Sequence, residues 1–302
     1  MCNCLWNLSA SHESIGVQVI TQTIATLYDY VILAFIRTHS QEDQEFPLEK
    51  DPSVASVIAV LGIMKNVVAI SSARKALRNR ERLVDDILWF FTNGLKRSDP
   101  DGKLVENSAC IIRNLVFNLE NEVDHNPSFY RPKQNEHINS DVDVFCSLFT
   151  TQKDQYLEID EHPEYSVQVP PLQESTTGWQ LLPYSVKSFI QGLREIKNPV
   201  TLEACLAVLQ NLASGEWIWS CYARGLIYQQ RAMGIICDFT VHDDSLIVAS
   251  ACGCLKNLCT NTQVTNLLGE FGLENIVEKH IVSCNESLAF TGQILKNKVV
   301  PR

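Results

Sequence analysis

The sequence predicts an all-α solenoid, and three observations support this class. A short block centred on asparagine recurs, its copies follow a common spacing, and the segments around them carry apolar residues at helical intervals. Each block consists of an aliphatic residue, a long or aromatic residue, asparagine and a second aliphatic residue. The five asparagines are Asn7, Asn66, Asn114, Asn211 and Asn257.

The spacing of the blocks indicates the repeat unit. Successive asparagines are 59, 48, 97 and 46 residues apart. The two gaps in the forties match a three-helix armadillo or HEAT repeat of roughly 40–47 residues. The first gap carries extra polar residues around residues 38–51, and the third gap is twice the period.

Helical periodicity accounts for most of the remaining chain. Apolar residues recur at intervals of three and four in residues 53–70, 82–94, 103–117, 184–196, 200–213, 245–259 and 285–296. Pro52, Pro183 and Pro199 stand at or near helix starts, where the missing N–H is harmless. Asp243 and Asp244 precede an apolar run and can cap it. No run alternates with a period of two, so no strand is predicted.

Residues 119–182 are predicted to form a long, acidic, disordered insertion between repeats. They hold five of the 11 prolines and 12 acidic against 3 basic residues, and they lack helical periodicity. The segment carries −9 of the net charge of −10, so the remaining array is nearly neutral. The predicted organisation is helical repeats at 1–118, the insertion at 119–182 and further repeats at 183–302.

Composition excludes several classes of protein. A chain of 302 residues with 45% hydrophobic residues is not intrinsically disordered as a whole, and its acidic balance argues against nucleic-acid binding. The 11 cysteines are odd in number and mostly lie in apolar runs, without zinc-type spacing. They indicate reduced, buried thiols and an intracellular protein. We expect no metal site and no cofactor.

The apolar residues 16–36 raise the possibility of a membrane span. Gln18, Gln22, Tyr28 and Asp29 interrupt them. An uncompensated aspartate at membrane depth costs about 2.5–3.5 kcal/mol, so a buried pair of solenoid helices is preferred and no direct membrane insertion is predicted.

Catalysis is not indicated. The seven histidines are scattered, and the chain has no H-E-x-x-H, G-x-S-x-G, P-loop or G-x-G-x-x-G motif. A convergent Cys/His site on a solenoid is the only enzymatic alternative, and we expect a binding protein instead.

The recurring asparagine has two interpretations. Asparagine disfavours helix interiors, so its repeated position needs a reason. Each amide either ties down a neighbouring turn or, stacked at one per repeat, binds the backbone of an extended peptide.

The residues before each asparagine add charge to this row. Trp6, Lys65, Arg113, Gln210 and Lys256 occupy that position, and three of them are cationic. They favour an acidic or phosphorylated partner. A second basic cluster is either a further binding surface or a solvated turn; it comprises Arg74, Lys75, Arg78, Arg80 and Arg82. Trp217 is a weaker candidate, because buried aromatic residues usually belong to the core.

Four stretches resemble the armadillo domain of the delta-catenin/plakophilin family. They are residues 5–9 (Leu-Trp-Asn-Leu-Ser), 103–115 (with Val-Glu-Asn and Arg-Asn-Leu), 199–204 and 210–217 (Gln-Asn-Leu-Ala-Ser-Gly-Glu-Trp). The Gly-x-Trp stretch with Tyr222 and Arg224 looks more like the delta-catenin branch. The resemblance covers nearly the whole chain.

The resemblance implies a right-handed superhelix that is cytoplasmic and binds the juxtamembrane tail of a classical cadherin. In that family, binding supports adhesion at adherens junctions on the inner face of the plasma membrane and affects Rho-family GTPase signalling. The peptide lies in a basic groove lined by the third helices. Trp6 and Asn7 match the family's Trp-Asn position, and the predicted peptide-binding set continues with Lys65, Asn66, Arg113, Asn114, Asn211 and Asn257.

The chain also departs from the family pattern. Repeats that precede the Trp-Asn block in the family are missing, as are later ones, so we expect a fragment. The insertion is acidic and can compete for the groove. The alternative function is therefore a cytoplasmic or nuclear signalling adaptor of plakophilin type that acts without cadherin.

Overall fold

Helices form every regular element that the structure describes. The computed structural model describes residues 23–40, 47, 51–97, 99–123, 178–215 and 217–259. In chain order the helices are α1 (residues 23–39, with a π-helical turn at Tyr28–Ile32), α2 (Pro52–Val67), α3 (Ser71–Arg78), α4 (Leu83–Arg97), α5 (Lys103–Val116), α6 (Leu119–Glu122), α7 (Val186–Glu195), α8 (Pro199–Leu212), α9 (Ile218–Gln229), α10 (Met233–Asp238) and α11 (Ser245–Leu258). The 3₁₀ turn Gly178–Ser185 leads into α7, and Phe239–Val241 follows α10. These residues contain no β-strand, so the all-α class is confirmed.

Helices α2, α8 and α11, which all carry the asparagine block, begin with the same local signal. Asp51, Asn198 and Asp244 each accept a hydrogen bond from the backbone N–H two residues later, at 2.8, 3.0 and 2.8 Å. Two of these helices then start with proline, as predicted, because a helix start leaves that N–H without a helical partner in any case. The predicted helix at residues 285–296 lies outside the described residues.

The block-carrying helices lie side by side. Helix α2 packs against α5, α5 against α8, and α8 against α11. Because each is covered on more than one side, its buried residues extend around most of its circumference; α5 buries Leu104, Ile111 and Leu115 together with the polar Asn107. Helices α3 and α4 precede α5, and α9 and α10 precede α11, as the other members of three-helix repeats. The predicted solenoid is confirmed.

The long gap between the third and fourth asparagines contains one repeat. Helices α5 and α8 are neighbours, so no further block-carrying helix stands between them. The sequence predicts an insertion between repeats at 119–182, whereas residues 119–123 and 178–182 are helical parts of the array. Leu119 and Leu182 explain this difference, because both are buried in the core. Residues 124–177 lie outside the described residues.

The apolar segment at residues 16–36 is described from Thr23 onward, where it forms part of α1. Ile24, Tyr28 and Ile32 are buried in the core, and the π-helical turn contacts α2. None of the helices in the described ranges is long and apolar enough to cross a membrane. The preferred interpretation as a solenoid helix therefore holds for residues 23–39.

Helices α3, α9 and α10 are not predicted by the sequence patterns. Helix α3 buries Ala73 and Leu77 along with the arginines Arg74 and Arg78, so its apolar stripe is hidden among basic residues. Helices α9 and α10 are short, and such helices depend on tertiary packing more than on their own propensity.

Gly178 lies against the main chain of α3. Its φ is +60°, and a Cβ built there would collide with the carbonyl oxygen of Arg78. We expect Gly178→Ala to lower the free energy of unfolding by at least about 2 kcal/mol, because the backbone conformation and the close contact both disfavour a side chain. Urea denaturation followed by circular dichroism measures this effect. Gln180→Ala in the same turn is the control, and equal stability of the two variants would contradict the prediction.

The described cysteines are free thiols, and nearly all lie in the core. Cys110, Cys205, Cys237, Cys252, Cys254 and Cys259 are buried, and Cys221 is half-buried. Burial raises the pKa of Cys237 and of Cys252 to about 12, so these thiols are neutral at physiological pH. The predicted reduced, buried state is confirmed for these residues.

Candidate functional site

A row of asparagines crosses the four adjacent helices α2, α5, α8 and α11. Asn66, Asn114, Asn211 and Asn257 each lie near the C-terminal end of their helix and are half-buried. Packed helix axes are about 8–10 Å apart, so the amides follow one another at that interval. We call this row the asparagine ladder. Trp6 and Asn7, which were predicted to extend it, lie outside the described residues.

Two amides of the ladder connect neighbouring repeats. Asn257 Nδ2 donates to the carbonyl oxygen of Gln210 at 2.8 Å, and Asn114 Nδ2 donates to that of Lys65 at 3.4 Å. Each acceptor is the residue before the preceding ladder asparagine, so one arrangement recurs at two junctions. The structural interpretation of the block is therefore correct for these two residues. A carboxamide also offers a second N–H and an acceptor oxygen beyond such a bond.

Asn107 makes a similar connection deeper in the core. Its Nδ2 donates to the carbonyl oxygen of Ile58 at 3.2 Å, which joins α5 to α2. Its Oδ1 is buried and has no hydrogen-bond partner among the described residues. The sequence analysis missed this role, although Asn107 stands two helical turns before Asn114 and thus on the same face.

The cations beside the ladder are paired with carboxylates of the next helix. Lys65 Nζ lies 3.5 Å from Glu106, and Arg113 Nη1 lies 2.5 Å from Glu203. Each carboxylate stands eight residues before the asparagine of its own helix, so both junctions share one register. Lys103 adds a third cation 2.6 Å from Glu106. An acidic partner must therefore compete with these carboxylates, which the sequence pattern did not indicate.

Glu106 is held in its ionised form. Burial opposes ionisation, but the hydrogen bond and charge of Lys103, together with Lys65 and Asn198, outweigh it and lower the pKa of Glu106 below its ordinary value. The carboxylate is buried while Lys65 is partly exposed. The cation can therefore be reached from solvent without moving the acid.

The junction between α8 and α11 is neutral at the same position. Gln210 replaces the cation before Asn211, and its side chain lies so close to Gly253 that a Cβ there would collide with it. Ser250 Oγ approaches Glu203 at 3.4 Å on the neighbouring helix. The described ladder thus has a charged part at α2 and α5 and a neutral part at α8.

The second basic cluster is largely an internal network. Glu122 accepts hydrogen bonds from Arg74 Nη2 at 2.5 Å and Arg78 Nη1 at 2.6 Å, and the three side chains are 6%, 7% and 2% exposed. Arg78 also donates to the carbonyl oxygens of Leu115 and Phe117, at 2.5 Å each. Both sequence interpretations, a binding surface and a solvated turn, are wrong for these two arginines, because the carboxylate that pairs with them comes from distant α6.

The remaining members of that cluster are nearer the surface. Arg80 pairs with Asp29 of α1 at 2.7 Å, and Arg82 lies 3.7 Å from Asp86. Lys75 is exposed. The cluster therefore connects α3 to its neighbours and does not form one basic patch.

A cleft of about 200 Å³ opens beside the ladder, where α5 ends. Its lining residues are Phe117, Asn118, Leu119, Glu120, Asn121, Pro183, Asn211, Leu212, Ser214, Trp217 and Trp219. Asn211 belongs to both the ladder and the cleft. Glu120 is the only charged side chain among the lining residues, and we call this space the Glu120 cleft.

Aromatic side chains form the wall behind the Glu120 cleft. Trp179 stacks on Trp217 with ring centroids 5.6 Å apart and meets Trp219 edge-on at 6.0 Å. Tyr184 contacts Trp219 at 6.2 Å. Trp217 is only 4% exposed, so it is a core residue that also lines the cleft. Its sequence assignment to the core is correct.

The chain is similar to catenins of the delta type. Catenin delta-1 of Xenopus laevis is 24% identical over 95% of this chain and 34% of its own length, and human splicing regulator ARVCF is 28% identical over 90% and 30%. Human plakophilin-4 is 27% identical over 91% and 24%. The chain therefore spans about a quarter to a third of these relatives. No protein-family model matches it. The predicted resemblance to the delta-catenin/plakophilin family is confirmed.

Solved structures with a similar backbone include designed armadillo repeat proteins. One covers 99% of this chain and 92% of its own, with a TM-score of 0.54 and 12% identity. Another, in complex with the peptide (KR)4, covers 99% and 91%, with a TM-score of 0.51 and 10% identity. At these identities the likeness shows the fold alone, and the fold is an armadillo-repeat array.

Proposed function

We propose that this chain, an armadillo array similar to delta-type catenins, is a non-enzymatic junctional scaffold that binds the juxtamembrane tail of a classical cadherin. The observation that carries the proposal is the asparagine ladder, which sets one carboxamide on each of four adjacent helices. Each carboxamide can pair with the N–H or C=O of an extended peptide. Trp6 and Asn7 are proposed to extend the same row.

An extended peptide suits this spacing. A strand advances about 3.3 Å per residue, so two or three residues of peptide span the interval between neighbouring helices. Backbone pairing at each ladder amide would hold the peptide largely independently of its sequence. The side chains between these points would then decide which peptides bind best.

Selectivity for an acidic peptide would come from an exchange of ion pairs. Peptide carboxylates approaching Lys65 and Arg113 from solvent would share or replace their contacts with Glu106 and Glu203. Because the protein's own carboxylates already pair with these cations, the net gain per peptide acid would be modest and sensitive to salt.

Titration calorimetry with a cadherin juxtamembrane peptide at two salt concentrations tests the proposal. We expect binding that weakens at higher salt. Changing Asn7, Asn66 and Asn114 together to alanine should weaken it by about 100-fold, because each lost hydrogen bond contributes about 1 kcal/mol.

A matched control separates binding from folding. Asn79→Ala alters an exposed asparagine off the ladder and should leave the affinity unchanged. The triple variant is compared only after circular dichroism shows that it remains helical. Undiminished binding by a folded triple variant would overturn the ladder proposal.

The proposal places the protein in the cytoplasm at cell-cell junctions, on the inner face of the plasma membrane. Regulators of Rho-family GTPases are proposed as further partners, by analogy with the family. Fluorescence imaging in cells with and without cadherin tests the location, because cadherin-dependent recruitment should disappear when the cadherin is absent.

A cadherin-independent adaptor in the cytoplasm or nucleus is the second candidate. One of the relatives, human ARVCF, is named a splicing regulator, and Lys65 and Arg113 already have carboxylate partners within the array. This candidate predicts no heat in the peptide titration from a folded sample and an unchanged location in cadherin-deficient cells.

A further inference from the structure

We infer that the Glu120 cleft binds a cationic side chain, lysine or arginine, of the peptide that occupies the ladder. The inference rests on the proposed function for the peptide. The preference for a cation is argued separately, from the charge, acceptors and aromatic walls of the cleft.

Charge is the first argument. Glu120 is the only charged residue among those lining the cleft. The arginines of the adjoining network, Arg74 and Arg78, are paired with Glu122, and they lie outside the lining. The cleft thus presents one negative charge with no lining cation, which favours a cationic group and opposes an anionic one.

The neutral lining residues supply hydrogen-bond acceptors. Asn118, Asn121 and Asn211 contribute amide oxygens, and Ser214 contributes a hydroxyl. Asn121 Nδ2 donates to Asn118 Oδ1 at 2.7 Å, which orients these two amides relative to each other. An ammonium has three N–H donors and a guanidinium has five, so both suit a space with several oxygens.

Aromatic rings give the cleft a second means of holding a cation. Phe117 is 55% exposed at its edge, and Trp217 and Trp219 line its wall. The face of an aromatic ring attracts cations within about 6 Å of its centroid. One instance already exists here, since the Arg74 guanidinium lies 5.3 Å from the Phe117 centroid.

The position of Glu120 is set by the loop after α8. Gly215 has a φ of +93°, and any Cβ there would collide with the Glu120 carboxylate. Arg224 fastens the same loop by donating to the carbonyl oxygens of Ala213 and Gly215, at 2.8 Å each. A carboxylate that is already in place loses little freedom when a ligand binds, which favours affinity.

The cleft also has a defined place relative to the ladder. Asn211 lines it, and Asn211 follows Asn114 by one repeat. A peptide that places acidic residues near Lys65 and Arg113 would therefore present its basic residue one repeat further along. The favoured partner is a peptide with an acidic stretch followed, at that interval, by lysine or arginine.

The closing experiment uses small ligands and so does not depend on the cadherin peptide. The full chain, labelled with ¹⁵N in its tryptophan indoles, is titrated with N-acetyl-arginine methylamide or its neutral isostere, N-acetyl-citrulline methylamide. We expect arginine to shift the indole signals of Trp217 or Trp219 with an affinity at least about fivefold above citrulline, as one charge-assisted contact provides.

Two variants decide the outcome. Glu120→Gln should remove the difference between the two ligands, while Glu81→Gln, an exposed acid remote from the cleft lining, should preserve it. Equal affinity for arginine and citrulline, or an unchanged preference in Glu120→Gln, would overturn the inference. Failure of the cadherin titration alone would count against the ladder and leave this result standing.

Discussion

Replacing Arg78 by alanine is expected to lower the free energy of unfolding by about 3–5 kcal/mol, as breaking a buried ion pair does. The side chain is almost wholly buried and donates to Glu122 and to the carbonyl oxygens of Leu115 and Phe117. Alanine would leave both carbonyls without these bonds and Glu122 with Arg74 as its remaining cation. Urea denaturation followed by circular dichroism measures the change.

Two further variants test whether the loss comes from this network. Lys75→Ala removes an exposed charge from the same helix and should change stability by less than about 0.5 kcal/mol. Arg78→Lys keeps the charge but lacks the planar fork that reaches three acceptors, so its stability should lie between those of the wild type and Arg78→Ala. A loss below about 1 kcal/mol in Arg78→Ala would contradict the arrangement.

Glu122 is expected to make the stability of the array sensitive to acid. Burial opposes its ionisation, but the hydrogen bonds and charges of Arg74 and Arg78 prevail and lower the pKa of Glu122 from 4.5 to about 2. The ionised form is thus favoured by folding. Its contribution is fully present above pH 4.5 and is lost as the pH falls towards 2. The interval corresponds to a contribution on the order of 3 kcal/mol.

Comparison with Glu122→Gln isolates this contribution from those of other carboxyl groups. The variant should be less stable than the wild type at pH 7, and the difference should shrink as both are unfolded at pH 4 and pH 2.5. Glu81→Gln serves as the control, because an exposed glutamate should show no such convergence. A difference that stays constant between pH 7 and pH 2.5 would rule out an ionised, paired Glu122.

The features that sequence predicts well here are those encoded by neighbouring residues. The asparagine block, the proline at the start of α2 and α8, and the cap at Asp244 are all local signals. They place the block-carrying helices and the order of the ladder. The helix ends lie within three residues of the predicted ones.

The features that sequence did not predict depend on residues far apart in the chain. Glu122 stands 44 residues after Arg78, and Glu106 stands 41 residues after Lys65. Nothing in either local pattern indicates that these charges meet. The basic run in α3 therefore suggested a surface, whereas folding brings a carboxylate to it.

The Glu120 cleft illustrates the same limit. Its walls come from the end of α5, the 3₁₀ turn before α7 and the loop after α8, which are widely separated in sequence. The sequence analysis singled out only Asn211 and Trp217 among the lining residues. Three separate chain segments must meet before the cleft has a shape, so no single motif could predict it.

The two described ends of the segment at residues 124–177 meet the array at a single residue. The Arg78 guanidinium holds Glu122 on one side, and the Arg78 carbonyl lies against Gly178 on the other. The chain therefore departs and returns at nearly the same point, and the cost of closing the intervening loop grows only slowly with its length. A doubling in length adds about 0.6 kcal/mol. Evolution can lengthen, shorten or replace this segment almost without penalty, while the repeats on either side stay in register.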